Sequence, residues 1–245
     1  MTRDTIKNMQ TLSGIQYLFR GFNWLTKPGI KRFVIIPLII NIVLFSVLIF
    51  GGYHLVHYLV SLLPQWLHWL NWLIMPIFFV ASSVIMIYTF TIIANLIGAP
   101  FNSLLSEKVQ LITTGKKPRE DEGFKEAIKD IPRTLKREWH KIIYYIPRAL
   151  LLLILFFIPV INVLAGILWF IFGCWMMSVE YVDYPMDNHK KPFKELHLYL
   201  RSHCSMSLTF GFSVMFFAMI PIINFFVMPA AVIGGTLMYL ENMGK

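Results

Sequence analysis

The chain has 245 residues, of which 57% are hydrophobic and only 14% charged, with a formal net charge of +9. Ordinary soluble domains carry about 25% charged residues, so the composition argues against a soluble enzyme. The acidic side chains are interspersed among the basic ones, which argues against a nucleic-acid partner.

Phe33 to Ser106 contains no Asp, Glu, Lys or Arg, and Ala149 to Val179 and Ser205 to Leu240 are two further uncharged runs. A helix that is apolar on every side is at home only in a bilayer. The expected fold is therefore an all-α integral membrane protein, a single membrane domain over residues 1–245, with the lipid bilayer as its solvent.

Taken in order, residues 1–27 form an amphipathic N-terminal segment with a stripe of Met9, Leu12, Ile15, Phe19 and Phe22. It can lie in the membrane interface or pack as a cytoplasmic cap. It is too polar for a signal peptide. The first long membrane helix is expected over 28–63, with Pro28 in its first turn and Pro64 as its stop. At 1.5 Å per residue that is roughly 50 Å, longer than the ~30 Å hydrocarbon core, so it must tilt or protrude. Pro37 inside it reads as an ordinary kink. The second membrane helix is expected over 72–97, broken at Gly98-Ala99-Pro100.

Residues 101–148 read as a charged cytoplasmic helical region. Phe124, Ile128, Ile131, Leu135 and Ile142 recur at helical spacing within a helix expected over 123–145, and Pro132 and Pro147 mark kinks or starts. The last two apolar runs, 149–179 and 205–240, are interrupted by Ile158-Pro159-Val160-Ile161-Asn162 and Ile220-Pro221-Ile222-Ile223-Asn224. Proline removes a backbone donor and Asn tolerates turn geometry. Each break leaves arms of about 10 to 17 residues, most of them short for a span. Two re-entrant helical hairpins follow, with the irregular backbone covered by protein or water.

Charge is one-sided. Residues 1–32 carry six basic and one acidic side chain, 107–148 carry eleven and seven, 180–204 carry four of each, and the connection His54–Asn71 carries none. The positive-inside bias assigns the charged side to the cytoplasm.

The strongest candidate site is Gly29, Ile30, Lys31 and Arg32. A helix start presents free N–H groups beside a positive dipole end, and Lys and Arg add charge and fork-shaped donors suited to a tetrahedral oxyanion. An ordinary basic flank of a membrane helix has the same composition. Candidate pore or gate residues are Asn41, Asn95, Asn102, Glu107, Asn162 and Asn224, since amide side chains can line a polar path without a buried charge. Asn95 and Asn102 can equally tie off a broken helix end.

His54, His57 and His68 are too sparse for a metal centre and read as interfacial residues near Trp66, Trp69 and Trp72. The chain contains no phosphate-binding G-x-x-x-x-G-K-[ST] and no nucleophile elbow. No enzyme, catalytic residue, metal or cofactor is expected. Asp183, Asp187 and Glu195, near His189, read as a solvated loop with local salt bridges, and Cys174 and Cys204 as free thiols.

Several strings together resemble the EI24-like, or CysZ, family of bacterial sulfate-uptake membrane proteins. They are Pro28-Gly29-Ile30-Lys31-Arg32-Phe33, Ala94-Asn95-Leu96-Ile97-Gly98-Ala99-Pro100-Phe101-Asn102, Lys136-Arg137-Glu138-Trp139, Tyr144-Tyr145-Ile146-Pro147-Arg148-Ala149, Asp183-Tyr184-Pro185-Met186-Asp187-Asn188-His189-Lys190 and Pro192-Phe193-Lys194-Glu195. The resemblance implies a multi-pass protein of the bacterial inner membrane. It implies a homo-oligomer with partly penetrating helices that moves the sulfate anion inward for cysteine biosynthesis. The family's sulfate-binding motif maps onto Gly29 to Arg32. Many members have Arg-Arg after the Leu or Ile, whereas Lys31 here keeps the charge without the planar fork. A membrane scaffold or regulator without transport activity is the alternative from another class.

Overall fold

The computed structural model of the chain describes residues 13–61, 71–116 and 131–243, and every regular element among them is helical. In order these are α1 (Gly14–Trp24), α2 (Lys31–Ser61), α3 (Asn71–Thr114), α4 (Ile131–Phe156), α5 (Ile161–Asn188), α6 (Phe193–Ser202), α7 (Cys204–Ala218) and α8 (Pro221–Asn242). The chain divides into two compact units, Met1–Val34 with Asn102–Lys245, and Ile35–Phe101.

The unit Ile35–Phe101 contains most of α2 and the first part of α3. It has no charged side chain, and most of its described large apolar residues, among them Val47, Phe50, Trp72 and Phe79, point outward. A surface this apolar is stable only against lipid. The hydroxyls of Ser46 and Ser61 donate to the carbonyls of Ile42 and Tyr58 one turn back, so polar atoms inside the apolar helix satisfy themselves.

Two expected boundaries move. α2 opens at Lys31, three residues later than expected from Pro28. α3 does not break at Gly98-Ala99-Pro100 but continues to Thr114, with Pro76 and Pro100 inside it. Proline costs a helix one hydrogen bond, whereas leaving the helix in an apolar setting would orphan several backbone groups with no water to take them. Pro64 lies outside the described residues, as do His68, the stripe residues Met9 and Leu12, and the start of the helix expected over 123–145.

The other unit is packed around α8, which is buried without interruption from Pro229 to Tyr239. α1 crosses it so closely that a Cβ at Gly21 would lie 2.0 Å from the Ala230 carbonyl oxygen. At the other end of α1, a Cβ at Gly14 would lie 2.1 Å from the Met206 carbonyl oxygen of α7. The buried face of α1 is therefore Gly14, Tyr17, Leu18 and Gly21. It is not the expected stripe: Phe19 stays half-exposed, Phe22 packs only at the edge of the core, and the two meet Phe217 edge-on at 5.6 and 5.9 Å. Small residues decided the contact, because close backbone approach buries more than a ring held at a distance. The segment packs as a cap on α7 and α8.

α5 and α7 cross just as tightly at Gly211, where a Cβ would fall 1.7 Å from the Cys174 carbonyl oxygen, and the Ser178 hydroxyl donates to the Ser207 carbonyl.

Both Pro/Asn breaks occur where the sequence places them. α4 gives way to α5 through Phe157–Val160, and α7 to α8 through Met219 and Ile220. The tip of the first is highly exposed: Phe157 is 80% and Val160 90% accessible. The arms differ from expectation, however. α4 begins at Ile131 and runs straight through Pro147, and α5 continues to Asn188, so the charged flanks belong to the same helices as the apolar run. Among the described residues, four stretches are long and apolar enough to cross a bilayer: Lys31–Leu55, Pro132–Phe156, Ile161–Asn188 and Ile223–Asn242. α7, with 15 residues, is shorter.

Candidate oxyanion site and a buried ionic seam

The chain leaves α1 through a tight turn over Leu25–Ile30. Ile30 closes it by donating its N–H to the Lys27 carbonyl at 3.1 Å, and then accepts from the Phe33 N–H at 2.9 Å as α2 begins. Ile30 is fully buried and anchors the turn in the core cluster. This corrects the expectation that the Ile30 amide is free for an anion. The turn needs it for its own closure, and the open N–H groups among the described residues are those of Gly29, Lys31 and Arg32. Gly29 has φ +84°, a backbone conformation that L side chains rarely adopt.

Four cations surround this turn. Lys31 and Arg32 are exposed at the start of α2, Lys27 lies over the Trp24 ring with Nζ 3.2 Å from its centroid, and Arg32 lies 4.9 Å from the Phe33 ring. The fourth comes from α3: the Lys108 side chain passes Gly29 so closely that a Cβ there would be 3.3 Å from its Cε. Among the described residues none of these four forms an ion pair. Partial burial, with Arg20 nearby, holds the Lys27 ammonium below its ordinary value. Arg20 itself is spoken for, donating to both carboxylate oxygens of Glu241 at 2.8 and 2.6 Å. Sequence reasoning gave Lys108 no part in this site, because nothing local signals that α3 returns to the start of α2.

The candidate pore residues are placed differently. Asn102 is buried and donates to the Tyr184 hydroxyl at 3.2 Å. It opens a polar ladder in which Ser103 pairs with Asn188 (2.7 and 3.0 Å), Ser106 with Thr236 (2.9 Å) and Gln110 with His189 (2.9 Å). Glu107 lies half-buried on the same stretch of α3. Asn162 and Asn224 are exposed in the first turns after the two breaks, their N–H groups bonded to Ile158 and Ile220. The side chains of Asn41 and Asn95 lie outside the described residues.

A second basic cluster is fully neutralised. Arg133, Arg137 and Lys141 recur every fourth residue on α4 and face Glu180, Asp183 and Asp187 on α5. Arg137 meets Asp183 at 2.6 Å and Asp187 at 3.3 Å, and Arg133 meets Asp187 at 2.5 Å. Lys141 bonds Glu138, Glu180 and Asp183 at 2.8, 3.0 and 3.1 Å. The side chains of Arg137, Lys141 and Asp183 are at most 10% exposed. This corrects the reading of Asp183 and Asp187 as a solvated loop: α5 continues to Asn188 despite Pro185, and the carboxylates neutralise cations that α4 brings into the protein. Only Lys191–Glu195, at 3.1 Å and exposed, fits the solvated description.

Apolar helices with lipid-facing side chains, one buried ionic seam and one open cationic turn define an all-helical, multi-pass membrane protein. The family described as Sulfate transporter CysZ/Etoposide-induced protein 2.4 (EI24) matches residues 17–229. A protein of Salmonella typhimurium named Sulfate transporter CysZ is 43% identical over 234 residues, covering 94% of this chain and 92% of that protein. Proteins of the same name from Salmonella enteritidis and Salmonella typhi match at the same identity and coverage. The chain belongs to the EI24/CysZ family.

Proposed function

We propose that this chain carries sulfate across the bacterial inner membrane into the cell, supplying sulfur for cysteine biosynthesis. The observation that supports this most directly is the Leu25–Ile30 turn, where among the described residues the N–H groups of Gly29, Lys31 and Arg32 are unengaged and no carboxylate is paired with Lys27, Lys31, Arg32 or Lys108. A tetrahedral dianion supplies the missing negative charge and accepts from backbone and side-chain donors together. Ile30 serves the site as its buried anchor. Binding is shallow and exposed, which suits conduction, because an ion held too tightly does not leave.

In this reading α4–α5 and α7–α8 are re-entrant hairpins whose Pro/Asn breaks lie within the membrane, and the protein works as a homo-oligomer. Moving a dianion inward against an inside-negative potential of about 100 mV costs about 4.6 kcal/mol. Uptake therefore draws on continual consumption of cytoplasmic sulfate or on co-transported protons. Labelled-sulfate flux into liposomes containing the purified protein tests the reading. Saturable uptake that is lost in Lys31→Ala/Arg32→Ala is expected. Protein-free rates from a folded, monodisperse sample would leave a scaffold role instead.

A further inference from the structure

Arg148 and Arg201 are the last formal charges before the two long uncharged runs of the second half of the chain: one precedes Ala149–Val179 and the other Ser205–Leu240. The fold brings both entry points to one cluster. The Arg148 guanidinium lies 3.6 Å from the Tyr144 ring centroid and donates to the Tyr144 carbonyl at 2.7 Å. The Tyr144 ring packs edge-on against His197 of α6 at 4.1 Å, and Arg201 stands one helical turn beyond His197. Phe193 and Trp175 close the cluster at 4.6 and 6.5 Å from the imidazole.

Among the described residues neither arginine has a carboxylate partner, although the acidic residues of the nearby seam are all engaged with other cations. The indole N–H of Trp175 and both ring nitrogens of His197 are shut away from solvent with no hydrogen-bond partner. The imidazole senses both guanidiniums: burial, then Arg201 and Arg148, push its pKa down to about 4 against a smaller opposing pull from Asp183.

We infer that Arg148 and Arg201 form a binding site for the phosphodiester headgroup of an anionic phospholipid, with the Tyr144–His197–Trp175–Phe193 cluster as its floor. Beyond Arg148, α4 turns Leu150, Leu151, Leu153 and Ile154 outward, and beyond Arg201, α7 turns Phe212 and Phe216 outward. The two cations thus stand at the level where charged surface gives way to lipid-facing surface, which is where phosphates of a bilayer lie. Guanidinium forks bind phosphate oxygens in pairs, and the acyl chains continue onto the apolar faces already exposed below them. A free oxyanion shares the headgroup chemistry but gains nothing from those apolar faces.

The test uses the full chain in non-ionic detergent, with native mass spectrometry counting retained lipid after titration with phosphatidylglycerol or phosphatidylcholine. The wild type is expected to retain phosphatidylglycerol about tenfold better than phosphatidylcholine. Arg148→Ala/Arg201→Ala, with unchanged circular dichroism and elution, is expected to lose that preference. Arg148→Lys/Arg201→Lys keeps the charges but not the forks and is expected to retain part of it. Equal retention of the two lipids by the wild type, or an undiminished preference in the Ala double variant, overturns the site. Displacement of phosphatidylglycerol by inorganic phosphate or sulfate at equal concentration also overturns it, by making it a free-oxyanion site.

Discussion

Two groups of basic side chains in this protein meet opposite fates. Arg133, Arg137 and Lys141 are drawn between α4 and α5, and every one of them meets carboxylates at 2.5 to 3.3 Å. Lys27, Lys31, Arg32 and Lys108 gather around Gly29 with no paired carboxylate among the described residues. Charges of the first kind are tolerated because they are neutralised, and removing one partner leaves the others buried and uncompensated. Those of the second kind stay exposed or half-buried and unneutralised among the described residues, at a local energetic cost that an arriving anion relieves. The contrast separates basic residues that hold the helices together from those that await a ligand.

The comparison breaks most visibly at Asp183. Asp183→Ala removes the buried carboxylate that Arg137 and Lys141 share, leaving Arg137 with Asp187 and Lys141 with the more exposed Glu138 and Glu180, and a loss of about 3 kcal/mol of stability is expected. It would be read as a large fall in thermal midpoint or loss of a monodisperse peak in detergent. Lys31→Ala/Arg32→Ala should do the reverse, changing stability by about 0.5 kcal/mol or less, as surface substitutions do. Equal destabilisation by the two changes would erase the distinction.

Gly29→Ala tests the turn itself. At φ +84° a Cβ adds backbone strain of order 1–3 kcal/mol and presses on the Lys108 side chain at 3.3 Å. Weaker sulfate binding together with a lower thermal midpoint is expected; full retention of both would show that the turn needs no glycine. Lys108→Gln keeps most of the side-chain bulk and removes one half-buried charge, and a several-fold weakening of sulfate binding without loss of stability is expected from calorimetry.

A separate effect is a pH dependence. Folding pushes His197 down from 6.5 to about 4, so between those values the unfolded chain binds a proton that the folded one refuses. Its contribution to stability is complete above about pH 6.5 and is lost as pH falls towards 4. The charges facing it are Arg148 on α4, Asp183 on α5 and Arg201 on its own helix. His197→Phe should flatten this part of the stability profile, and an unchanged slope would assign it to other groups.

Much of this architecture is legible in the chain. The uncharged runs announce a membrane protein, and the two Pro/Asn pentapeptides mark the α4–α5 and α7–α8 turns because proline and Asn act locally. Gly98-Ala99-Pro100 misleads because a proline's cost depends on what surrounds the helix. The sequence alone does not say that leaving the helix there would orphan more backbone groups than staying. The ionic seam left a trace: Arg133, Arg137 and Lys141 share one helical face, as do Glu180, Asp183 and Asp187. That the faces meet depends on which helices pack, and Lys190, Lys191 and Lys194 made the second read as a solvated loop. Lys108 gave no signal at all, since its place beside Gly29 is purely a tertiary fact.

The central claim is that the cationic turn at Gly29 to Arg32 is an open oxyanion site. Calorimetric titration of sulfate into purified wild type and into Lys31→Ala/Arg32→Ala tests it most directly. Saturable binding in the wild type that disappears in a folded, monodisperse double variant is the expected result. Undiminished binding in the variant would contradict the assignment and leave these residues as the basic flank of a membrane helix.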